Sequence, residues 1–202
     1  MYGTRGCGSR AREQSCACAA QLSGAVMTFV GKKALIDLSE AYADCDLCPL
    51  LCASRSEVVF GSGAASAPIV VVGEAPGGVE DAEGTAFVGD SGQLLMDLLA
   101  KAWPDDEELK QIRKIEEDSH YFRELREYLD RFIFWTNSTL CRPPEGRNPT
   151  PQELKNCRDR LDRTIYAVDP LLIIAVLWLI LKSTTLLLIQ TVRPWVRLLN
   201  PE

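Results

Sequence analysis

A short β-branched run that ends in a glycine-rich turn places the strongest constraint on the fold of this chain. The run Ala67-Pro-Ile-Val-Val-Val-Gly73 has no polar residue, which is typical of a strand buried in a parallel sheet. Gly73-Glu-Ala-Pro-Gly-Gly78 follows and must be a turn, because it combines Pro76 with three glycines. The two features together predict an α/β unit, in which ligands bind beyond the carboxyl ends of the strands.

Strand and helix patterns alternate along the rest of the chain. Further strands are predicted at Phe132–Asn137 and Leu171–Val176, and helices at Lys33–Ala43, Ser91–Trp103 and Pro151–Tyr166. Ser91 is the predicted N-cap of the second of these helices, and Thr150 is that of the third. The order predicts an α/β fold with three α/β/α layers around a short, mainly parallel central sheet.

One domain is expected at residues 33–202, behind a poorly ordered lead-in at residues 1–32 that shows no clean period. An acidic helical insert is expected at about 104–130. Its core, Asp105–Asp130, has ten acidic and five basic residues and so carries nearly all of the net charge of −6. Its apolar residues recur at helical spacing, which predicts a helical hairpin with a solvated charged face. The remainder of the chain is close to neutral and is compatible with a local basic surface. Within it, Cys141–Arg163 has six basic and four acidic residues.

Two apolar stretches bear on the cellular location. Leu171–Ile189 is expected to be a buried strand that runs into a helix, because its unbroken part, Leu171–Leu181, has eleven residues. Crossing a bilayer takes about twenty. Polar residues break the run Cys16–Val30, which argues against an export signal. These features predict a cytoplasmic protein without a membrane partner, and we expect it to be a monomer.

Cysteines are abundant, with eight in the chain, and four of them suggest a metal centre. Cys45 and Cys48 can reach one centre from a single turn, while Cys141 follows a predicted strand and Cys157 lies on the next predicted helix. Four thiolates from two chain regions suit either a tetrahedral zinc site or an iron–sulfur cubane. Cys52 is a competing ligand, and buried cysteines without any metal are the remaining alternative.

Residues with binding chemistry follow the ends of two predicted strands. The glycines from Gly73 onward allow backbone amides to approach a ligand, and Glu74 and Glu80 can position a water. Phe87 can stack on a flat ring, and Asn137 offers both a donor and an acceptor to a ring edge. These residues favour a pocket for a small molecule or base, with a purely structural turn as the alternative.

Five motifs occur in a fixed order along the chain. They are Cys45-Asp-Leu-Cys48, Gly73-Glu-Ala-Pro-Gly77, Gly84-Thr-Ala-Phe-Val-Gly-Asp-Ser-Gly-Gln-Leu-Leu95, Thr136-Asn-Ser-Thr-Leu-Cys-Arg-Pro-Pro144 and Arg147-Asn-Pro-Thr-Pro151. In this order they resemble the family-4, iron–sulfur uracil-DNA glycosylases, over about residues 35–176 apart from the acidic insert. The resemblance implies an enzyme that flips uracil out of DNA and hydrolyses its N-glycosidic bond.

The resemblance also assigns roles to residues. The four cysteines Cys45, Cys48, Cys141 and Cys157 would hold a structural [4Fe–4S] cluster that orders the loops facing the DNA. Phe87 would stack on the flipped uracil, Asn137 would bond its edge, and the backbone of Gly73–Ala75 would hold its carbonyls. Glu74 and Glu80 would lie on the water side, with Glu80 preferred for activating the water. Uracil-containing DNA is then the expected partner.

The last third of the chain departs from the family pattern. The family carries a His-Pro-Ser segment near its C-terminus, whereas the single histidine of this chain, His120, lies in the acidic insert. The resemblance fades after Val176, which leaves truncation, alteration and divergence as explanations. Loss of a donor to the departing base costs several kcal/mol of transition-state stabilisation. The expected protein is therefore an impaired glycosylase, with a catalytically inactive iron–sulfur DNA-binding protein of the same fold as the alternative.

Overall fold

The computed structural model describes residues 31–104, 106–115, 119–177 and 186–191. Residues 1–30 of the expected lead-in lie outside these ranges, as does the stretch 178–185 that follows the last predicted strand. Residues 31 and 32, which the lead-in was expected to include, already belong to the first helix, α1, at 31–42.

Within the described ranges, five strands form one mixed sheet in the order β1-β3-β2-β4-β5. They are β1 Ser62–Gly63, β2 Ile69–Gly73, β3 Ile133–Asn137, β4 Leu172–Leu177 and β5 Leu186–Thr191. Strand β2 pairs in parallel with both β3 and β4, whereas β1 and β5 pair antiparallel at the two edges. The predicted parallel centre is confirmed, since its three strands are the three expected ones. A helix was expected to follow β4. That prediction is wrong for Leu186–Thr191, which forms strand β5.

Helices cover both faces of this sheet. After α1, they are α2 Pro49–Ser54, α3 Gly78–Glu83, α4 Asp90–Ala102, α5 Glu107–Ile112, α6 Ser119–Leu129 and α7 Pro151–Val168, with a 3₁₀ turn at Pro144–Gly146. The predicted cap of α7 is confirmed: the Thr150 hydroxyl accepts the Glu153 amide at 3.3 Å, and the Glu153 carboxylate accepts the Thr150 amide at 2.7 Å. The predicted cap of α4 is wrong, because Gly89, rather than Ser91, occupies that position.

Alternating side chains of the central strands feed two separate cores. On one face, Val71 and Trp135 pack with buried residues of α4, α5 and α6. On the other face, Val70, Val72 and Phe134 pack with residues of α1, α2 and α7. Because successive residues of a strand point to opposite faces, this arrangement produces the three α/β/α layers that the sequence predicted.

The acidic segment forms the expected helical hairpin over its described residues. Leu109 of α5 and Leu125 and Leu129 of α6 are fully buried against the first core, while the charged residues Glu107 and Glu108 are exposed. His120 lies on the solvent side of α6, with a side chain 51% exposed and a ring beside Arg123 and Glu124. Within the described part of the chain, no helix combines the length and apolar character needed to cross a membrane.

Candidate active site and thiol centre

A cleft of about 460 Å³ opens at the carboxyl edge of β2 and β3. Every residue predicted to bind or act on a substrate lines it: Gly73, Glu74, Ala75, Glu80, Phe87 and Asn137. The first residues of α4 and the loop 143–149 complete its walls. The cleft therefore lies where an open α/β sheet normally binds its ligand.

The parallel register of β2 and β3 brings the two strand ends together, with Gly73 opposite Asn137. The Ser138 amide donates to the Gly73 carbonyl at 2.8 Å, and the Thr139 amide to the Glu74 carbonyl at 3.1 Å, so pairing continues past both strands. A Cβ at Gly73 would overlap the Asn137 Oδ1 and lie 2.9 Å from the Phe87 Cζ. Gly73 thus makes room for an amide and an aromatic ring to meet at one point.

Phe87 is held in a strained backbone conformation, with φ of 60°. A non-glycine residue in this left-handed region is uncommon and persists only where its surroundings enforce it. Gly92 allows the Phe87 backbone to lie this close to α4, since a Cβ on Gly92 would lie 2.7 Å from the Phe87 Cα and would overlap its carbonyl group. The Phe87 ring packs against Trp135 with centroids 5.5 Å apart, a support that no local sequence pattern indicated.

Side chains of the acidic segment hold the Trp135 ring in place. Its Nε1 donates to Asp130 at 2.7 Å, and the Arg126 guanidinium lies 5.0 Å over its ring. Arg126 also donates to the Ala86 carbonyl at 2.8 Å, next to Phe87. The hairpin that looked like a peripheral insert therefore supports the floor of the cleft.

Asn137 is 4% exposed and points its amide towards Gly73. Its side chain makes no hydrogen bond to another described residue, so it can bond a ligand. Its main-chain carbonyl is held differently, by Arg160 Nη2 at 2.7 Å. A buried amide that the fold leaves unsatisfied is suited to read the edge of a planar ring.

The two candidate carboxylates differ in their partners. Both oxygens of Glu80 accept backbone amides, from Gly77 at 3.1 Å and from Gly89 at 2.8 Å. Glu80 therefore caps α3 and ties the turn after β2 to the start of α4. The Glu74 carboxylate has no hydrogen bond to another described residue, and burial raises its pKa above the ordinary 4.5. Glu74 is thus the carboxylate that is available to a water molecule.

The predicted thiol ligands lie in one region, where the start of α2 meets α7. Cys141 and Cys157 are buried and Cys45 and Cys48 are partly buried, with no disulfide among the described cysteines. Burial raises the pKa of both Cys48 and Cys141, and the charges of Cys45 and Cys157 raise both further. The four sulfurs are therefore close enough to influence one another. Cys52 instead directs its thiol to the Cys45 carbonyl at 3.4 Å.

Two side chains donate hydrogen bonds to these sulfurs. Arg55 Nη1 lies 3.0 Å from the Cys141 Sγ, and Asn156 Nδ2 lies 3.3 Å from the Cys48 Sγ. Such N–H···S contacts are typical of cysteines that carry negative charge as ligands. Neither donor was expected from the sequence, because both depend on chain segments about a hundred residues apart meeting at the centre.

The donor set can be compared with the two metals that the sequence left open. A tetrahedral zinc site holds each sulfur about 2.3 Å from the ion, so its ligands nearly touch. In the part of the chain that the structure describes, no three ligand side chains are gathered closely enough for one ion. An iron–sulfur cubane is larger and spaces its four thiolates further apart. The all-thiol donor set fits an iron–sulfur cubane, with zinc as the alternative.

Two arginines differ in their partners: Arg147 lines the cleft, and Arg142 lies beside Gly78 in its wall. Arg147 forms a two-pronged ion pair with Glu153 at 2.7 and 2.8 Å, which lowers the pKa of Glu153 to about 2. Arg142 has no ion pair among the described residues. Its Cζ lies 3.5 Å from the position of a Cβ on Gly78, at the cleft mouth. Arg142 is thus the rim cation that can meet an anion.

Comparisons with known proteins agree with the motifs. The family model of the uracil DNA glycosylase superfamily matches residues 60–191. A type-4 uracil-DNA glycosylase of Archaeoglobus fulgidus is 34% identical over 142 residues, covering 70% of this chain and 59% of that protein. One of Thermotoga maritima is 36% identical over 138 residues, covering 68% and 59%. One of Sulfurisphaera tokodaii is 34% identical over 137 residues, covering 68% and 51%.

The matched region extends past Val176, where the resemblance seen from the motifs alone ends. The chain spans between about half and three fifths of the length of these curated relatives. These relatives, all type-4 uracil-DNA glycosylases, confirm the predicted resemblance. With a superfamily match over most of its length and a cleft built from the same motifs, this chain belongs to the uracil DNA glycosylase superfamily.

Proposed function

We propose that the protein excises uracil from DNA by flipping the base into the cleft and hydrolysing its N-glycosidic bond. The convergence of Gly73, Phe87 and Asn137 carries this proposal. A ring face and an unsatisfied amide meet there around a position that admits no side chain. A flipped base needs such a slot, because its reactive bond is inaccessible inside a stacked duplex. The description of the relatives as type-4 uracil-DNA glycosylases supports the same reaction.

Recognition of the base is assigned to Asn137 and Phe87. The carboxamide can accept from the uracil N3–H and donate to an adjacent carbonyl, a pattern that cytosine does not match. The Phe87 ring, braced by Trp135, supplies a flat apolar surface for stacking. The backbone of Gly73 and Ala75, at the end of β2, lines the same cleft and can hold the uracil carbonyls.

We assign activation of the water to Glu74 rather than Glu80. Water adds to the sugar C1′ as the C1′–N1 bond breaks, the bonding electrons leave with the base, and the water proton passes to the carboxylate. A base in this role needs an accessible oxygen and gains strength from a raised pKa. Burial supplies the raised pKa of Glu74, and its oxygens are unengaged. Glu80 keeps the supporting turn in place through Gly77 and Gly89.

A [4Fe–4S] cluster held by Cys45, Cys48, Cys141 and Cys157 is part of this proposal, with zinc as the alternative. Its contribution when bound is a structural cross-link between chain segments. Cys141 and Cys157 bracket the loop 142–150, which forms one wall of the cleft. Arg55 and Asn156 would stabilise the negative charge of the ligating sulfurs through the two N–H···S contacts.

Uracil-containing DNA is the proposed partner, and Arg142 is the residue we assign to its backbone. An unpaired guanidinium at the mouth of a base pocket lies where the phosphates of a flipped nucleotide pass. The overall charge of −6 does not oppose this assignment, because the stretch Asp105–Asp130, with ten acidic and five basic residues, accounts for nearly all of it. A cytoplasmic location, a monomeric state and the absence of a membrane partner also belong to the proposal and rest on composition alone.

A second candidate is a catalytically inactive or impaired member of the same fold that binds uracil-containing DNA. The position of His120 favours it, because the chain has one histidine and that residue lies on α6, outside the cleft lining. Without an imidazole at the cleft, the departing base depends on backbone donors for stabilisation of its negative charge.

Release of free uracil from a single-stranded uracil oligonucleotide separates the two candidates. The glycosylase proposal expects release by the wild-type protein and a large loss in the Glu74→Gln variant. Retained binding of the oligonucleotide with no release at high protein concentration would establish the binding protein instead. A protein that neither binds nor cleaves would contradict both.

A further inference from the structure

Arg160 is a fully buried arginine in the middle of α7, with 0% of its surface exposed. Its guanidinium donates three hydrogen bonds to the carboxyl end of β3. Nη1 reaches the Thr136 hydroxyl at 3.1 Å, and Nη2 reaches the carbonyls of Asn137 at 2.7 Å and Ser138 at 3.1 Å. These three consecutive residues form the end of the strand that presents the Asn137 amide to the cleft.

The rest of the contact network makes this end of β3 rigid. The Thr136 hydroxyl donates onward to the Phe60 carbonyl at 2.9 Å, and the Ser138 hydroxyl donates to the Gly73 carbonyl at 3.0 Å. Arg160 therefore joins a helix to the point where β2 and β3 meet. Arginine suits this place because its planar fork can bond several acceptors at once.

The charge of Arg160 is not balanced by any carboxylate among the described residues. Burying a cation is costly unless an anion or several acceptors compensate it. The groups that act on Arg160 electrostatically are the Cys157 thiol, three residues earlier on α7, then the Tyr42 phenol and the Cys141 thiol. Its Nε is buried and has no well-formed hydrogen bond to a described partner. A buried cation with an unsatisfied N–H beside Cys157 and Cys141 matches an anionic thiolate centre.

We propose that Arg160 is a positioning residue that links the thiol centre to the base-reading end of β3. The negative charge of the ligated thiolates holds the guanidinium in the interior, and the guanidinium holds the main-chain carbonyls of Asn137 and Ser138. The cluster would in this way stabilise the recognition of uracil, at a distance, through one side chain. This inference rests on the proposed function for the identity of the ligand and of the centre.

Replacing Arg160 tests the link, with Arg163→Lys as the matched control. Arg163 lies one turn further along α7, and its side chain is 59% exposed beside Asp159. Arg160→Lys keeps a charge but loses the fork, and Arg160→Met keeps the bulk alone. The measurements are iron and sulfide content per chain, and affinity for free uracil by calorimetry on the cluster-loaded protein.

We expect Arg160→Lys and Arg160→Met to lose uracil affinity or iron retention by about 10- to 100-fold, the usual cost of removing an outer partner of a metal site. Arg163→Lys should match the wild type in both. Wild-type iron content together with wild-type uracil affinity in either Arg160 variant would overturn the proposal.

A measurement on the wild-type chain keeps the proposal testable if those variants fail to fold. Hydrogen exchange of the Ser138 and Thr139 amides can be compared before and after chelation of the iron. Faster exchange at these amides on chelation supports the link, and exchange that changes only around the cysteines overturns it. This readout needs no uracil, so failure of the link is distinguishable from failure of the proposed glycosylase activity.

Discussion

Gly73 lies directly opposite Asn137 in the parallel register of β2 and β3, and a methyl group at Gly73 would overlap the Asn137 side-chain oxygen. The shape of the cleft floor therefore depends on one missing Cβ.

Gly73→Ala is expected to displace the Asn137 amide and to press on the Phe87 ring. Overpacking of this kind costs about 1–3 kcal/mol of stability. Uracil affinity should fall by about tenfold, the value of one good hydrogen bond. Thermal unfolding and calorimetry with free uracil check both effects. Gly78→Ala is the stability control, because its Cβ would meet only Arg142 at an ordinary 3.5 Å. Unchanged uracil affinity in Gly73→Ala would contradict the assigned floor.

Glu74→Gln and Glu80→Gln should fail in different ways. Glu74→Gln removes the proposed base and should lower kcat by about 10²- to 10⁴-fold without any loss of stability. Glu80→Gln replaces one of two acceptors by a donor, which leaves the Gly77 or Gly89 amide unpaired and costs about 1–3 kcal/mol. Single-turnover uracil release and thermal unfolding separate the two. A larger kcat loss in Glu80→Gln, at a temperature where both variants are folded, would return the catalytic role to Glu80.

The raised pKa of Glu74 also predicts how stability depends on pH. Burial favours the protonated carboxyl of Glu74. Its contribution to the free energy of unfolding is therefore fully present below the ordinary pKa of 4.5, and it is lost as the pH rises through the higher pKa of the folded protein. Glu74→Gln cannot ionise and should therefore be more stable than the wild type above this window, and equally stable below it. The acid limb of kcat should lie at a higher pH than for an exposed glutamate. Urea unfolding across the pH range measures the difference, and parallel curves would refute it.

Cys157→Ser and Cys52→Ser should differ in their effect on the cluster. Cys157 is one of the two buried thiols and one of the four proposed ligands, so its loss should abolish visible absorption and lower iron content. Cys52 donates to the Cys45 carbonyl, and a serine hydroxyl can replace that donor. The Cys52 variant should keep full iron content when both proteins are purified without oxygen. Iron loss in the Cys52 variant would identify it as a ligand.

Arg142→Gln should weaken binding to DNA without changing affinity for free uracil. One lost phosphate contact reduces the salt slope of binding by about one and weakens binding equally for different sequences. Arg158→Gln is the control, because that side chain is 72% exposed on α7 and paired with Asp162. Fluorescence anisotropy with a uracil oligonucleotide at several salt concentrations measures the effect. An Arg142 variant with an unaltered salt slope would contradict the assigned contact.

Local patterns in the sequence were enough to predict the centre of the fold. The β-branched runs at β2, β3 and β4 and the cap of α7 depend on neighbouring residues only, so they could be predicted. The edge strands could not, because Ser62–Gly63 has two residues and Leu186–Thr191 lies in an apolar run that also suits a helix. Whether this run forms a helix or a strand depends on the open edge of β4, with which it pairs.

The cleft residues were predictable by type, since glycines, a phenylalanine and an asparagine followed the ends of strands. The role of Glu80 was not predictable, because the amides of Gly77 and Gly89 converge on it from either side of α3. The sequence by itself therefore determined the parallel sheet, the four thiols and the residues at its carboxyl edge. Only the tertiary structure decided which carboxylate is available and that Arg160 is buried. Both depend on residues distant in the chain, whose contacts leave no periodic signal.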